Sequence, residues 1–203
     1  MKEWIYDWGG ANVALFHALN ANHAHWLDQV MLALTWAGDH NRFALYLSFI
    51  ALVTWWRIAR YPESPAGREW MLALATFAIA YVLDGFVVTG LKSYMDLPRP
   101  SLVFLQDSLV VVGPAEFHHS FPSGHASFAA LFVASLWPCT RSLALRIALV
   151  VYVVAVCLSR PYLGFHFPAD VLFGSLLSVL LVIGVRAALM MWRPPSRVRQ
   201  VEL

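Results

Sequence analysis

The stretch EWMLALATFAIAYVLDGFVVTGLK, residues 69–92, indicates which class of fold this chain adopts. As an α-helix its 24 residues are about 36 Å long, which exceeds the roughly 30 Å of hydrocarbon in a bilayer. Asp84 is the single charged side chain between Glu69 and Lys92. The stretch is therefore predicted to be a transmembrane helix, and the chain an integral membrane protein.

Four further stretches are apolar enough to be candidate spans. They are residues 42–60, 123–138, 143–159 and 168–186, the last of which continues as an apolar run to Trp192. Each run is continuously apolar rather than alternating, and a span in lipid must pair its backbone polar groups within itself, which favours α-helices. An all-α polytopic transmembrane helix bundle is therefore expected.

Composition supports the same class of protein. Sixty per cent of the 203 residues are hydrophobic and 13% are charged, whereas soluble domains have about 45–50% and about 25%. The length suits one integral-membrane domain, residues 1–203. Cys139 and Cys157 have no metal-binding or redox spacing, so they are expected to be small packing residues.

The N-terminal part of the chain is less decisive. Residues 25–38 are apolar but short and contain Asp28, while residues 4–20 mix aromatic side chains and His17 with aliphatic ones, as an interfacial helix does. Six spans, or five spans with an interfacial helix within residues 1–24, both fit, and we favour six. The N-terminus lacks the basic start and apolar core of a signal peptide, so insertion is expected to rest on the later spans.

Charge placement orients the predicted bundle. The connections on one side carry several arginines, and the tail at residues 187–203 is basic as well. These arginines are Arg57, Arg60, Arg68, Arg141, Arg146 and Arg186. Positive charge marks the cytoplasmic side, so residues 187–203 are expected to be a cytoplasmic tail. The loops at residues 93–122 and 160–167 are expected to face the periplasm or the outside.

Polar residues gather in three short stretches on that outer side. They read LKSYMDLPRP (91–100), FPSGHAS (121–127) and SRPYLGFHFPAD (159–170). Each stretch adjoins the end of a predicted helix, so the side chains of all three can lie at one depth. The sequence therefore predicts a single site at the outer, periplasmic edge of the membrane.

The cations of these stretches suit a phosphate ester. Lys92, Arg99 and Arg160 supply positive charge, and an arginine fork grips two phosphate oxygens where lysine acts as a point charge. Ser123 and Gly124 open a predicted helix, whose free N–H groups and positive dipole end attract an anion. Phosphoryl transfer is catalysed mainly by positioning and electrostatic stabilisation, which this set would supply.

Two histidines supply the remaining chemistry. Asp170 follows His166 by four residues, so the two are neighbours on a helical turn. A carboxylate on one ring nitrogen fixes the tautomer and leaves the other nitrogen free to attack phosphorus. His125 could protonate the leaving oxygen, which predicts a phosphohistidine intermediate and a bell-shaped pH profile. No metal or other cofactor is expected, because three cations already neutralise the phosphate.

The order K-x6-RP, PSGH and SR-x5-H-x3-D resembles the three-part signature of the type 2 phosphatidic acid phosphatase superfamily, which includes membrane lipid phosphatases and the related vanadium haloperoxidases. The three parts are complete and span residues 92–170. The resemblance implies a six-helix core, an outward-facing site and metal-independent action on lipid phosphates. It implies that His166 is the nucleophile, Asp170 its orienting group and His125 the acid. The phosphate-binding residues that it implies are Lys92, Arg99, Ser123, Gly124 and Arg160.

Several polar residues outside the motifs have open roles. Asp84, inside a predicted span, is expected to form an ion pair or a hydrogen bond to a neighbouring helix. For His118 and His119, one alternative is a role in contacting substrate or in tuning the pH dependence of the activity. The other is an exposed position in a loop, and metal binding is less favoured. Asp39, His40 and Arg42 either contact a headgroup or lie in a solvated loop, and Glu116 is expected on the loop surface.

The leading interpretation is a phosphatase acting on a membrane lipid phosphate or diphosphate, such as polyprenyl diphosphate, phosphatidylglycerol phosphate or phosphatidic acid. A lipid A phosphatase or a lipid-to-lipid phosphotransferase fits the same residues. An anion or lipid transporter is less favoured, because the polar residues lie at one surface rather than at the membrane midplane. A metal- or haem-binding protein using the eight histidines is a third class.

The expected partners are the lipid substrate and the bilayer of a bacterial inner membrane, with no nucleic acid and no obligate protein partner.

Overall fold

The computed structural model describes residues 6–105 and 108–192, and within these ranges it contains helices and no β-strand. The α-helices are α1 (Ala11–Asn20), α2 (His25–Ala37), α3 (Phe43–Arg60), α4 (Ala66–Met95), α5 (Pro100–Val103), α6 (Gly124–Leu136), α7 (Leu143–Tyr162) and α8 (Pro168–Met191). The prediction of an all-α bundle is confirmed. Most of the predicted basic tail, from residue 193 onward, lies outside the described residues.

Four helical segments of the described chain are long and apolar enough to cross a membrane. They are His40–Arg60, Ala66–Val103, Leu143–Tyr162 and Pro168–Met191. By contrast, α2 has 13 residues and is about 20 Å long. Residues 25–38 are therefore shorter than these four segments, and their crossing of the membrane as a sixth span stays a prediction. The helix ends at Gly38, and a 3-10 turn at His40–Arg42 follows directly.

The short helix α6 is the centre of the bundle. It contacts α4, α7 and α8, and ten of its 13 residues are buried. Its side chains Phe128 and Phe132 pack against Phe77 of α4 and Tyr46 of α3. Because its neighbours surround it, α6 is stabilised by protein contacts rather than by a full-length apolar run.

The outer faces of the long helices are apolar. Their exposed side chains include Leu45, Phe49, Leu52 and Trp55 of α3, Val82 and Phe86 of α4, Val151 of α7, and Leu172, Leu176, Leu180 and Ile183 of α8. A soluble protein rarely exposes a continuous apolar surface of this kind, whereas lipid requires one. The fold is that of an integral membrane protein.

The helices bring the three motifs to one end of the bundle, where α4 and α7 end and α6 and α8 begin. There the N–H of Ser123 donates to the backbone carbonyl of Asp170 at 3.0 Å. A Cβ at Gly174 would lie 2.6 Å from the carbonyl oxygen of Ser123, so this close approach of α6 and α8 requires glycine. At the opposite end, Arg186 of α8 pairs with Glu69 of α4 at 2.6 Å.

Candidate active site

One cavity at the motif end collects side chains from all three motifs. Its wall includes Lys92, Arg99, Glu116, Gly124, His125, Arg160 and His166, and it reaches down to His40 and Asp84. The two remaining predicted site residues, Ser123 and Asp170, are fully buried behind the wall. Ser123 directly precedes Gly124, and Asp170 lies beside His166. The structure therefore brings the eight predicted residues together around one cavity.

Two buried polar atoms of the motifs have no hydrogen-bond partner within the described residues: Nε of Arg160, a residue of the cavity wall, and Oγ of Ser123, which directly precedes the wall residue Gly124. The Ser123 hydroxyl precedes α6 but does not cap it. Arg160 is 4% exposed; its Nη1 contacts the hydroxyl of Thr35, and its guanidinium lies 4.6 Å from the ring centre of Phe165. Buried polar atoms are nearly always paired, so these two positions are suited to the oxygens of an anion.

Arg99 is held from three directions. Its Nε donates to the carbonyl of His118 at 3.0 Å, and its Nη1 donates to the carbonyl of Phe165 at 3.2 Å. Its Nη2 pairs with the Glu116 carboxylate at 2.7 Å, and the side chain is 5% exposed. The guanidinium is therefore fixed in place before any ligand arrives.

The two ring nitrogens of His166 face different partners. Nδ1 lies 3.4 Å from Oδ2 of Asp170, and Nε2 lies 3.4 Å from Nη1 of Arg99. Arginine donates hydrogen bonds and does not accept them, so Nε2 is the acceptor nitrogen and Nδ1 carries the proton. This tautomer leaves a lone pair on Nε2, beside the cations of the cavity.

Asp170 accepts hydrogen bonds on both of its oxygens. Oδ2 accepts from the Ser120 hydroxyl at 2.5 Å and from the N–H of Phe167 at 2.9 Å, in addition to facing His166. Oδ1 accepts from the hydroxyl of Tyr6 at 2.8 Å. Sequence reasoning missed Ser120 and Tyr6, because neither belongs to a motif and Tyr6 lies 164 residues away along the chain.

Lys92 and His125 complete the wall of the cavity. Lys92 lies in the last turn of α4, and His125 is the second residue of α6. Their positions fit a phosphate-binding cation and a proton donor. These two roles remain predictions from the sequence.

Glu116 lies exposed in the loop, as predicted, but it also contacts the cavity. Its side chain is 56% exposed, yet its carboxylate pairs with Arg99 at 2.7 Å and lies in the cavity wall. The reason is that the loop folds back over the cavity, where the N–H of Arg99 donates to the carbonyl of Phe117 at 2.8 Å. A bound phosphate would share Arg99 with this carboxylate.

Replacing Glu116 with glutamine is expected to tighten inhibition by inorganic phosphate about threefold, because the anion no longer competes with a half-exposed carboxylate for Arg99. The measurement is the inhibition constant of phosphate at low salt, where screening is weakest. Asp96→Asn is the matched control, since Asp96 contacts His118 and His119 rather than Arg99. Equal inhibition constants for the wild type and Glu116→Gln would contradict the competition.

The sequence left the role of residues 39–42 undecided, and the structure gives these residues different contacts. His40 lines the cavity, whereas the side chain of Asp39 accepts from the N–H of Asn41 at 2.9 Å and so caps the 3-10 turn. The guanidinium of Arg42 lies 4.3 Å from the ring centre of Trp36. His40 is therefore the residue of this stretch that is placed to meet a ligand in the cavity.

His118 and His119 pair with Asp96 beside the cavity. Their Nδ1 atoms lie 3.7 and 3.2 Å from its carboxylate, and both side chains are more than half exposed. Across residues 6–105 and 108–192, no cluster of three His, Cys, Asp or Glu side chains is arranged to hold a metal ion.

Asp84 ties three helices together below the cavity. From α4 it accepts hydrogen bonds from the hydroxyl of Ser127 on α6, at 2.6 and 2.8 Å, and from that of Ser178 on α8, at 2.6 Å. The predicted hydrogen bond to a neighbouring helix is confirmed. Its effect is to fix α6, and with it the start of the PSGH motif, relative to α4.

A family model described as the PAP2 superfamily matches residues 70–194, more than half of the chain, and the three motifs fall inside the match. The chain belongs to the PAP2 superfamily, as the motifs predicted. Among curated proteins it is similar to phosphatidylglycerophosphatase B of Haemophilus influenzae, with 25% identity over 155 residues, which are 56% of this chain and 64% of the relative. Phosphatidylglycerophosphatase B of Escherichia coli is 45% identical over 67 residues, 31% of this chain and 26% of the relative.

Two solved structures share the fold. LpxE of Aquifex aeolicus superposes with a TM-score of 0.70 at 24% identity, covering 86% of this chain and 94% of that one. A transmembrane PAP2-type phosphatidylglycerolphosphate phosphatase of Bacillus subtilis superposes with a TM-score of 0.67 at 25% identity, covering 91% and 88%. The chain spans less than two-thirds of the length of the two curated relatives.

Proposed function

We propose that this protein is a phosphatase that hydrolyses the phosphomonoester or diphosphate of a membrane lipid. The observation that carries the proposal is the cavity, in which three cations and three imidazoles meet beside the unpartnered Ser123 Oγ and Arg160 Nε. The surrounding apolar surface supports a substrate whose tail lies in the bilayer.

The geometry supports a two-step reaction. Nε2 of His166 attacks phosphorus, the N–P bond forms, and the bond from phosphorus to the lipid oxygen breaks as that oxygen takes a proton from His125. Water then attacks phosphorus, giving a proton back to His125, and the N–P bond breaks to release phosphate and free His166. Asp170 holds the proton on Nδ1 throughout, while Lys92, Arg99 and Arg160 stabilise the charge on the phosphoryl oxygens.

Phosphatidylglycerol phosphate, phosphatidic acid and polyprenyl diphosphate are the proposed substrates, and the phosphatidylglycerophosphatase relatives support the first of them. The lipid A phosphatase and phosphotransferase alternatives use the same cavity, with a different lipid or a second lipid in place of water. The motif residues do not distinguish these lipids, so the substrate class must be identified by assay.

The deciding experiment measures phosphate released by the purified protein from a panel of these lipids, with and without a chelator. We expect hydrolysis of at least one lipid phosphate, unchanged by the chelator, and no hydrolysis by His166→Ala. Loss of activity in the chelator would contradict the metal-independent mechanism. Failure of the wild type to hydrolyse any lipid of the panel would overturn the proposed function.

The pH dependence follows from the surroundings of His166. Burial, and then the charges of Arg160, Arg99 and Lys92, hold the pKa of His166 well below its usual value. Because its pKa is depressed, the imidazole stays neutral at pH values below about 6.5, the pKa of an ordinary histidine. The acid limb of kcat/KM, which reports the free enzyme, is therefore expected to have its midpoint below about pH 6.5. A midpoint at or above that value would contradict the assignment of this limb to His166.

We also propose that the cavity faces the periplasmic side of a bacterial inner membrane. The arginine-rich connections support this orientation, because the arginines Arg57, Arg146 and Arg186 lie toward the opposite end of the bundle. Phe117→Cys, at a 49% exposed position beside the cavity, is to be made in a variant in which Cys139 and Cys157 are alanine. Labelling by a membrane-impermeant maleimide in intact cells is expected, whereas labelling confined to lysed cells would reverse the orientation.

A further inference from the structure

We propose that Tyr6 is a positioning residue for the pair His166–Asp170, and that the N-terminal segment, residues 6–20, is a working part of the active site. The proposal rests on the proposed phosphatase function. These residues lie outside the family match, which begins at residue 70.

Tyr6 is built into the site by three contacts. Its hydroxyl donates to Oδ1 of Asp170 at 2.8 Å. Its ring lies edge-on to the rings of Phe121 and Phe167, with both centroid distances at 6.0 Å. Phe121 directly precedes the PSGH motif and Phe167 directly follows His166, so the phenol lies between two motifs.

Two asparagines fasten the rest of the segment on both sides of His166. The buried side chain of Asn12 accepts from the N–H of Ala169, at the start of α8, at 2.9 Å. Asn20 donates to the carbonyl of Tyr162, at the end of α7, at 2.7 Å, and exchanges two hydrogen bonds of 2.8 and 2.9 Å with the backbone of Val110. The segment is therefore attached to the flanks of the loop that carries His166.

The bond from His166 to Asp170 needs this support. Oδ2 faces three donors, and at 3.4 Å the contact from His166 is longer than those from Ser120 and Phe167, at 2.5 and 2.9 Å. With the Tyr6 hydroxyl on Oδ1, the carboxylate is held at both oxygens. Without that hydroxyl, Oδ1 is buried and loses its partner, which favours rotation of the carboxylate and weakens its hold on the Nδ1 proton.

The first test compares Tyr6→Phe with Tyr46→Phe. Tyr46 is a matched control, because its hydroxyl donates to the carbonyl of Ala37 at 2.8 Å and lies outside the cavity wall. A hydrogen bond to a charged group is lost at Tyr6, so kcat is expected to fall about tenfold while KM stays within about twofold. Tyr46→Phe is expected to leave both constants within about twofold of the wild type.

A double-mutant cycle separates positioning from a general structural role. If Tyr6 acts through Asp170, Tyr6→Phe costs about tenfold in the wild type and almost nothing when Asp170→Asn is already present. The proposal is overturned if Tyr6→Phe keeps the wild-type kcat, if its cost is the same in the presence of Asp170→Asn, or if Tyr46→Phe costs as much.

A measurement without substrate keeps this inference separate from the proposed function. Nitrogen-15 NMR of labelled histidine, with His166→Gln identifying the signals, reports which ring nitrogen of His166 carries the proton. The wild type is expected to show the Nδ1–H form, and Tyr6→Phe a larger share of the Nε2–H form. An unchanged tautomer would overturn the positioning role even if no lipid of the panel is hydrolysed.

Discussion

Replacing His166 with alanine is expected to lower phosphate release from the preferred lipid about 10⁴-fold or more, because the nitrogen proposed to form the phosphoenzyme is removed. The remaining cations still bind the substrate, so the loss should appear in kcat rather than in KM. The measurement combines steady-state rates with trapping of an acid-labile, radiolabelled phosphoenzyme, which the wild type should form and His166→Ala should not.

His118→Ala is the matched control for this loss. Its imidazole is 62% exposed and pairs with Asp96 outside the cavity wall, so both the rate and the labelled intermediate should be retained. Thermal unfolding in detergent should separate loss of chemistry from loss of fold. A phosphoenzyme that persists in His166→Ala would assign the nucleophile to another residue.

Replacing Arg160 with methionine is expected to lower kcat/KM about 10³-fold, because it removes a buried charge that is proposed to stabilise the transferring phosphoryl group. Arg160→Lys is expected to restore little, because an ammonium group cannot reproduce the two-point grip of a guanidinium. Binding of vanadate or phosphate should raise the melting temperature of the wild type and leave that of Arg160→Met unchanged.

Stability should respond in the opposite direction to activity. Arg160 is buried, and no carboxylate of the described residues forms an ion pair with it. An apolar side chain of similar length should therefore leave the ligand-free fold equally or more stable. Arg186→Met is the matched control at the far end, where the arginine pairs with Glu69. The Arg186→Met variant should keep the wild-type activity and have a somewhat lower melting temperature. A large drop in the melting temperature of Arg160→Met would mean that Arg160 is mainly structural.

The candidate site was predictable to the extent that its residues stand in short motifs. Helix ends in a bundle of alternating spans return to the same side, so three motifs beside three helix ends imply one cavity, and the structure places them there. The pairing of Glu116 with Arg99 was not predictable, because it depends on how the loop before PSGH folds over the cavity. Residues 25–38 were identified as short from the sequence, and the structure gives the reason: α2 ends at Ala37, where Gly38 and a 3-10 turn follow.

The sequence alone was enough to predict an all-α membrane protein of the PAP2 superfamily. Long apolar runs and the spacing of charged residues are local properties, and they keep their meaning before the chain folds. The folded structure was needed to show which polar atoms stay unpaired, which nitrogen of His166 is free, and that Tyr6 reaches Asp170. Contacts of this kind join residues far apart in the chain, so they exist only after the N-terminal segment has packed with α6, α7 and α8.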